Sequence, residues 1–344
     1  VNFLRTFLAS APLLVVAGIS ITAFSIGSEA GCAKAADTSV STDQGCDDQA
    51  TAICKKLNDC APFILQSEYG DQTTCAGQQK QACLALLQAA GTSRTASGAS
   101  DCATALRAQS CSDYTSGVAL PACAAQPGAL AGGTACIDDS QCTSTYCRVV
   151  SESAGACGLC ANNPAAQLGG ACSGATPCAT GLICVGGEGG MLCAGLGQSG
   201  DSCSSDAPCA SGFLCQTQSS EGDGGVITTT GTCTALGSQG VPCSSEAPCD
   251  PTQGLACDPG SKQCAAVTLA PAGQACDNNL TLCAGGNCLA SPEAGPEAGA
   301  DEPRICIPAA TVGSGCDVFA GPDCMPPAQC TEHTCTIKQA SSCH

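Results

Sequence analysis

The chain has 344 residues, of which 35 are Cys, 42 Gly, 19 Pro and none Trp, and its formal net charge is -18. Cysteine at about one residue in ten marks a disulfide scaffold, and Leu, Ile, Val and Phe are too sparse for one large packed core. Barrel and doubly wound enzymes are thereby excluded, because their buried parallel strands read as long Val/Ile/Leu runs.

The acidity is uneven. Between Ala33 and Cys123, 6 Lys/Arg stand against 9 Asp/Glu, whereas from Ala124 to His344 the count is 4 against 19. No basic patch exists for nucleic acid, whose affinity is dominated by phosphate neutralisation. Anionic membrane surfaces would repel the body for the same reason. Such a charge suits the solubility of an extracellular protein.

Residues 1–31 are read as a signal peptide. Arg5 precedes an apolar stretch from Phe7 to Ile26, and small residues follow, which is the pattern of a secretory signal. Cleavage after Ser28-Glu29-Ala30 suits signal peptidase, with Ala33-Lys34-Ala35 as a second candidate. Glu29-Ala30-Gly31-Cys32 resembles the bacterial lipoprotein signal, with Glu29 in the place of its usual Leu, and this makes Cys32 the candidate lipidation site. Parity agrees: residues 46–123 hold 8 cysteines and residues 136–343 hold 26, so Cys32 is left over. A retained anchor is the third alternative, since about 20 apolar residues span a bilayer. All three put the body outside the cytoplasm.

After a linker over 32–45, residues 46–123 form a helical eight-cysteine module. From Asp47 to Cys60, Ala50, Ile53, Cys54, Leu57 and Cys60 recur at helical spacing, with Asp47 and Asp48 as caps and Pro62 as a stop or kink. A second helix is expected from Thr73 or Thr74, carrying Cys75 and Cys83 about two turns apart on one face, and Gly91 is placed to end it. A third, short helix follows the cap pair Ser100-Asp101. Lys55-Lys56 reads as a solvated face.

A linker over 124–135 leads to an array over 136–343 of about six four-cysteine modules: 136–160, 172–193, 203–233, 243–264, 276–306 and 316–343. Three are regular: Cys172, Cys178, Cys184 and Cys193; Cys203, Cys209, Cys215 and Cys233; Cys243, Cys249, Cys257 and Cys264. First cysteines follow one another at 36, 31, 40, 33 and 40 residues, the period of one small unit. Gly169, Gly200 and Gly240 stand three residues before the first cysteine. Pro177, Pro208 and Pro248 precede the second, where they fix a turn. Gly181, Gly212 and Gly254 are expected at positive φ, ahead of Leu182, Phe213 and Leu255 as each module's main buried side chain. Units below about 40 residues need staples, and two disulfides at roughly 2–4 kcal/mol each supply them. Four cysteines permit three connectivities; first to third with second to fourth is the expectation carried forward. Gln216–Thr232 and Ser291–Pro303 read as flexible insertions at module tips.

The Gly-x-x-Cys-x5-Cys-x2-Gly-Leu/Phe-x-Cys pattern resembles the Dickkopf N-terminal cysteine-rich module, in the form found in repeat-bearing bacterial exported proteins. The leading module, with Cys102, Cys111 and the Leu120-Pro121-Ala122-Cys123 end, resembles the segment that accompanies such arrays in bacterial surface proteins. The resemblance implies an exported repeat architecture. It does not carry over the Wnt antagonism of animal Dickkopf proteins, because only staple residues match.

Catalytic candidates are scarce. Gly195-Leu196-Gly197-Gln198-Ser199-Gly200 has the dinucleotide string without the strand and helix that it requires. Cys157-Gly158-Leu159-Cys160 lacks both a thioredoxin setting and a second pair for zinc, so a structural bridge is expected. His333 and His344 are the only histidines, and Gly-x-Ser-x-Gly is missing. Asp138-Asp139 reads as a solvated carboxylate pair, and calcium is the one metal such acidic loops keep open. The expectation is a small disulfide-rich, non-enzymatic exported protein with a surface, adhesion or matrix role. It takes no cofactor and no nucleic acid, has a protein or cell-surface/envelope partner, and meets membrane only through an N-terminal lipid or anchor. The alternative is a secreted protease inhibitor.

Overall fold

A computed structural model describes residues 40–339, apart from 116, 150–156, 162–165, 167–168, 174–175, 177, 179–181, 188–189, 204–208, 211, 222–226, 245–246, 278, 291–303 and 318–320. The fold is small and disulfide-rich: a helical region at the N-terminal side, then a succession of short hairpins. The expected signal segment and the candidate lipidation residue Cys32 lie outside the described residues, as do Ser291–Pro303, Cys343 and His344. Among the described residues no helix is long and apolar enough to cross a membrane.

Five helices build the first region: α1 (Thr42–Cys60), α2 (Pro62–Tyr69), α3 (Gln72–Leu87), α4 (Ala96–Ala108) and α5 (Cys111–Thr115). α1 begins before Asp47, because Ser41 is its cap and accepts the Gln44 amide at 3.1 Å. Asp47 and Asp48 therefore lie within the helix, where Asp47 meets Lys80 at 3.3 Å and Asp48 accepts from Ser100 Oγ at 3.1 Å. Pro62 starts α2 instead of merely ending α1, since proline at a first helical position loses no hydrogen bond. Asp71 caps α3. The third expected helix is longer than its Ser100-Asp101 start implies: Thr95 is the true cap and accepts from the Gly98 amide at 3.0 Å. α3 stops at Leu87, before Gly91.

α1 packs against α3 and α4. Cys46–Cys83 and Cys54–Cys75 clip α1 to α3 at two points two turns apart, Cys60–Cys111 ties α1 to α5, and Cys102–Cys123 fixes the end of the module. The core beneath them contains Leu57, Leu65 and Tyr69. Tyr69 is 2% exposed, and its hydroxyl accepts from Gln79 Nε2 at 2.9 Å. Burial pushes its pKa up to about 12.

The array repeats one frame. In every module the first cysteine pairs with the third and the second with the one that closes the frame, which is the fourth in five modules and, past Cys157, the fifth in the first: Cys136–Cys147 with Cys142–Cys160, Cys172–Cys184 with Cys178–Cys193, Cys203–Cys215 with Cys209–Cys233. Cys243–Cys257 with Cys249–Cys264, Cys276–Cys288 with Cys283–Cys306, and Cys316–Cys330 with Cys324–Cys335 complete the set. The third and fourth cysteines sit opposite one another across a hairpin, as in Cys184↔Cys193, Cys215↔Cys233 and Cys330↔Cys335. Directly opposed residues share a face of the ladder, so both sulfurs reach back to the same side and the two bridges stack.

Backbone hydrogen bonds close the frame. Gly133, Gly169, Gly200, Gly240, Gly273 and Gly313 all have φ between 75° and 86°, and each donates its N–H to the carbonyl of the cysteine that closes its module's frame at 2.7–2.8 Å. That single position explains the glycine three residues before each first cysteine, because left-handed backbone costs other residues about 1–2 kcal/mol. The looser copies at Cys136, Cys276 and Cys316 therefore share the frame of the regular three. The last frame closes at Cys335.

Two expectations for the array need correction. Leu255 is buried, but Leu182 and Phe213 are only partly covered, because the stacked disulfides occupy the middle of each module. Gly212 and Gly254 do take positive φ, while Gly181 lies outside the described residues. Gln216–Thr232 is largely an extension of the third hairpin: strands Phe213–Glu221 and Ile227–Ala235 pair over nine positions. Its Thr-rich returning strand has the β-branched composition that favours a ladder.

Candidate functional site

The helices and the array meet along a seam with two parts, and this seam holds a cluster of buried polar and charged side chains. The first part joins the α3–α4 connection to the first module. Gln141, 1% exposed, donates from Nε2 to the Ala90 carbonyl at 2.8 Å. Its Oε1 accepts from the amides of Ile137 at 2.7 Å and Asp138 at 3.2 Å. The Ser93 amide donates to the Ser140 carbonyl at 2.8 Å, and the Thr92 and Ser140 hydroxyls lie 2.9 Å apart.

Arg94 and Asp138 form the charged centre of this part. The guanidinium grips the carboxylate through Nε at 3.0 Å and Nη2 at 3.2 Å, a bidentate fit. Both side chains are mostly covered, at 24% and 20% exposure. Burial pushes the Asp138 pKa up, but the Arg94 charge and the Ser140 hydrogen bonds outweigh it and hold the carboxyl below its ordinary value. Asp139 differs: burial raises it, although the Cys147 amide donates to its Oδ1 at 2.7 Å. The two are thus a capping and ion-pairing constellation, not the solvated pair that their adjacency suggests. The short helical turn Asp139–Gln141 separates their environments, since Asp138 caps it and Asp139 stands inside it.

The second part joins α2 to the last three modules. Gly254 lies against Phe63. The Gly285 amide donates to the Gln66 and Ser67 carbonyls at 2.9 and 3.1 Å. A Cβ on Gly285 would meet the Gly70 nitrogen at 2.8 Å, so only glycine permits this approach. Met325, 5% exposed, enters the helical core beside Leu57, Leu65 and Tyr69. An open groove of about 630 Å³ lies between the end of α3 and the last module, lined by Leu84, Ala89, Val312 and Ile337 among others.

The candidate sites read from motifs are not assembled. Gly195–Gly200 crosses the end of one hairpin and a turn with Gly200 at φ 86°, and it leads into the short strand Ser202–Cys203 where the dinucleotide motif requires a helix. Cys157 and Cys160 are not bridged to each other, because Cys160 pairs with Cys142 and Cys157 is engaged in a separate disulfide. His333 is exposed in the turn of the last hairpin at φ 62°. Sulfur triads such as Cys136, Cys142 and Cys147 lie within 4.8 Å of one another. Their atoms belong to the stacked bridges, and a disulfide sulfur is not the thiolate that zinc requires.

Sequence reasoning missed Lys56 and Met325. Lys56 is buried and donates from Nζ to the carbonyls of Arg107 at 3.3 Å and Gln109 at 2.6 Å, closing the end of α4. Only its neighbour Lys55 lies on a solvated face. For Met325 no local signal exists, as it stands in a loop. Compared with protein-family models, curated proteins and solved structures, the chain matches none. The fold nonetheless defines a class: a cysteine-rich protein stapled throughout by disulfides, as befits an oxidising, extracellular environment.

Proposed function

We propose that this is a non-enzymatic exported protein that acts at a cell surface or in an extracellular matrix, presenting module loops to a protein or envelope partner. One observation carries the reading: the same frame of two bridges and one glycine-to-cysteine backbone hydrogen bond recurs six times. Exposed loop side chains away from the seam can therefore vary for recognition while the frame is kept. The Dickkopf-like cysteine pattern and the lipoprotein-like Cys32 agree with export and display. The net charge of -18 favours a neutral or cationic partner surface over nucleic acid or anionic lipid.

The test uses oxidised, purified chain against cells and isolated envelope, with reduced and alkylated chain as the control. Saturable binding by the oxidised form alone supports display. Diffuse secretion with no binding to any surface overturns it. Inhibition of a serine, cysteine or metalloprotease at micromolar concentration would favour the inhibitor reading instead.

A further inference from the structure

Sulfur is shielded almost everywhere in the described chain. Among the described cysteines only Cys111 is exposed, and its bridge partner Cys60 is half-buried. Each of the other fifteen bridges between described cysteines buries at least one of its two residues. Thiol–disulfide exchange requires that an attacking thiolate reach a bridge sulfur, so access selects the bridge that reacts. We propose that Cys60–Cys111 is a thiol-exchange site, at which an external thiolate becomes disulfide-linked to Cys111 and the Cys60 sulfur leaves.

A buried cation beside the leaving sulfur supports this assignment. Lys56 stands one turn before Cys60 on the same face of α1. It is 8% exposed, and its ammonium is held by the carbonyls of Arg107 and Gln109, not by a carboxylate. Gln109 is two residues before Cys111. A positive charge here stabilises a thiolate and makes it a faster leaving group. It offsets the C-terminal end of α1, which alone would disfavour negative charge at Cys60. The nearby carboxylates are exposed and otherwise engaged: Asp59 meets Lys55 at 2.9 Å, and Asp113 accepts from Ser110 Oγ at 2.8 Å.

What the bridge holds gives the exchange a consequence. α5 contains no buried residue, and Cys60–Cys111 ties it to α1. Its Tyr114 packs against two core clusters, that of Leu57, Leu65 and Tyr69 and that of Ala103 and Leu106. Beyond it the chain is retained by Cys102–Cys123. Exchange therefore frees α5 and lifts Tyr114 from the core without releasing the module. The step balances without an oxidant: one S–S bond breaks, one forms, and the negative charge of the incoming thiolate passes to Cys60, which takes a proton from water. The co-reactant is a thiol, from a small molecule or from a cysteine of a partner protein. A protein thiol would leave the partner covalently attached.

The test exposes oxidised full chain, without denaturant, to limiting glutathione or to a protein with one exposed cysteine, followed by alkylation and unreduced peptide mapping. The first adduct is expected on Cys111, with Cys60 alkylated. Adducts with glutathione alone assign the site to small thiols, and adducts in both arms extend it to protein thiols. In the adduct, the amides of Tyr114, Gly117 and Val118, which donate to Ser110, Tyr114 and Asp113, should lose protection from hydrogen exchange. Lys56→Met should slow exchange severalfold and Lys56→Arg restore it, whereas a merely structural lysine would speed exchange by its loss. Cys60→Ser combined with Cys111→Ser should remove the early adduct and leave the rest of the map unchanged. Reaction first at any other bridge, or an adduct on Cys60 with Cys111 alkylated, would overturn the proposal. So would labelling of Cys54 and Cys75 in step with Cys60, because the helical region would then be opening as a whole.

Discussion

The helices and the array solve the same problem with different materials. In the helical region, side chains such as Leu57, Leu65 and Tyr69 form a small core, capped helices satisfy their own backbone, and four bridges clip the result. In the array the buried centre of a module is mostly cystine: Cys243, Cys249 and Cys264 with Leu255 form one whole cluster. The contrast shows how far sulfur can replace hydrocarbon when modules are too short to bury a core. Reduction is the strongest way to break the comparison. Full reduction without denaturant should abolish amide protection throughout the array while leaving a substantial part of the far-ultraviolet helical signal. Hydrogen exchange and circular dichroism on the same sample check this, and parallel loss of both would mean that the helices have no independent stability.

Met325 blurs the division, because a side chain of the last module completes the helical core. Met325→Ala should cost about 2–5 kcal/mol, the range for a buried methionine emptied to alanine. Denaturant unfolding followed by the helical signal would measure it. A change confined to the last module would place Met325 at the edge of the core.

What was legible in the sequence follows the same division. The array could be read because its determinants are local: cysteines at fixed spacing and a glycine three residues before the first of them. The first-to-third, second-to-fourth pairing has a simple cause, since the third and fourth cysteines face each other across one hairpin, as Cys257↔Cys264 do. The Gln216–Thr232 segment misled, because polar composition hides a ladder whose strength lies in backbone pairing. α2 was hidden by Pro62, read as a terminator where it is an initiator. The seam was illegible for a deeper reason. Arg94 and Asp138 are 44 residues apart, and nothing local indicates that they meet.

The seam should respond to acid in a way that neither region would alone. Asp138 has a lowered pKa in the folded chain, so the stability it contributes is present above its ordinary unfolded value and is lost as pH falls through the folded value. Asp139 is raised, so its contribution has the opposite sign: the fold gains as pH falls through that raised value. Stability of the seam should therefore peak in mildly acidic solution, with Asp139 protonated and Asp138 still ionised. Thermal melts across pH would locate the maximum. Asp138→Asn should remove the acid-side decline and cost about 1.5–3 kcal/mol near neutrality, the worth of hydrogen bonds to a charged group. Asp139→Asn should flatten the neutral side, because the amide oxygen can still accept from Cys147.

The neighbouring pair Lys55 and Lys56 gives the smallest expected effect and an internal control. Lys55 meets Asp59 at 2.9 Å, but the two side chains are 58% and 43% exposed. Exposed pairs of this kind contribute between nothing and about 1 kcal/mol, so Lys55→Ala should leave the melting curve almost unmoved. Lys56 carries the same charge one position along and is 8% exposed. Its ammonium satisfies two carbonyls at the end of α4, which would otherwise be left without a donor. Lys56→Ala should cost about 1–3 kcal/mol, the penalty for buried polar groups without a partner. Equal effects from the two substitutions would mean that water enters the α4 end and takes the ammonium's place. The helical region would then be less closed than its core implies, and nearer to the array in its dependence on disulfides.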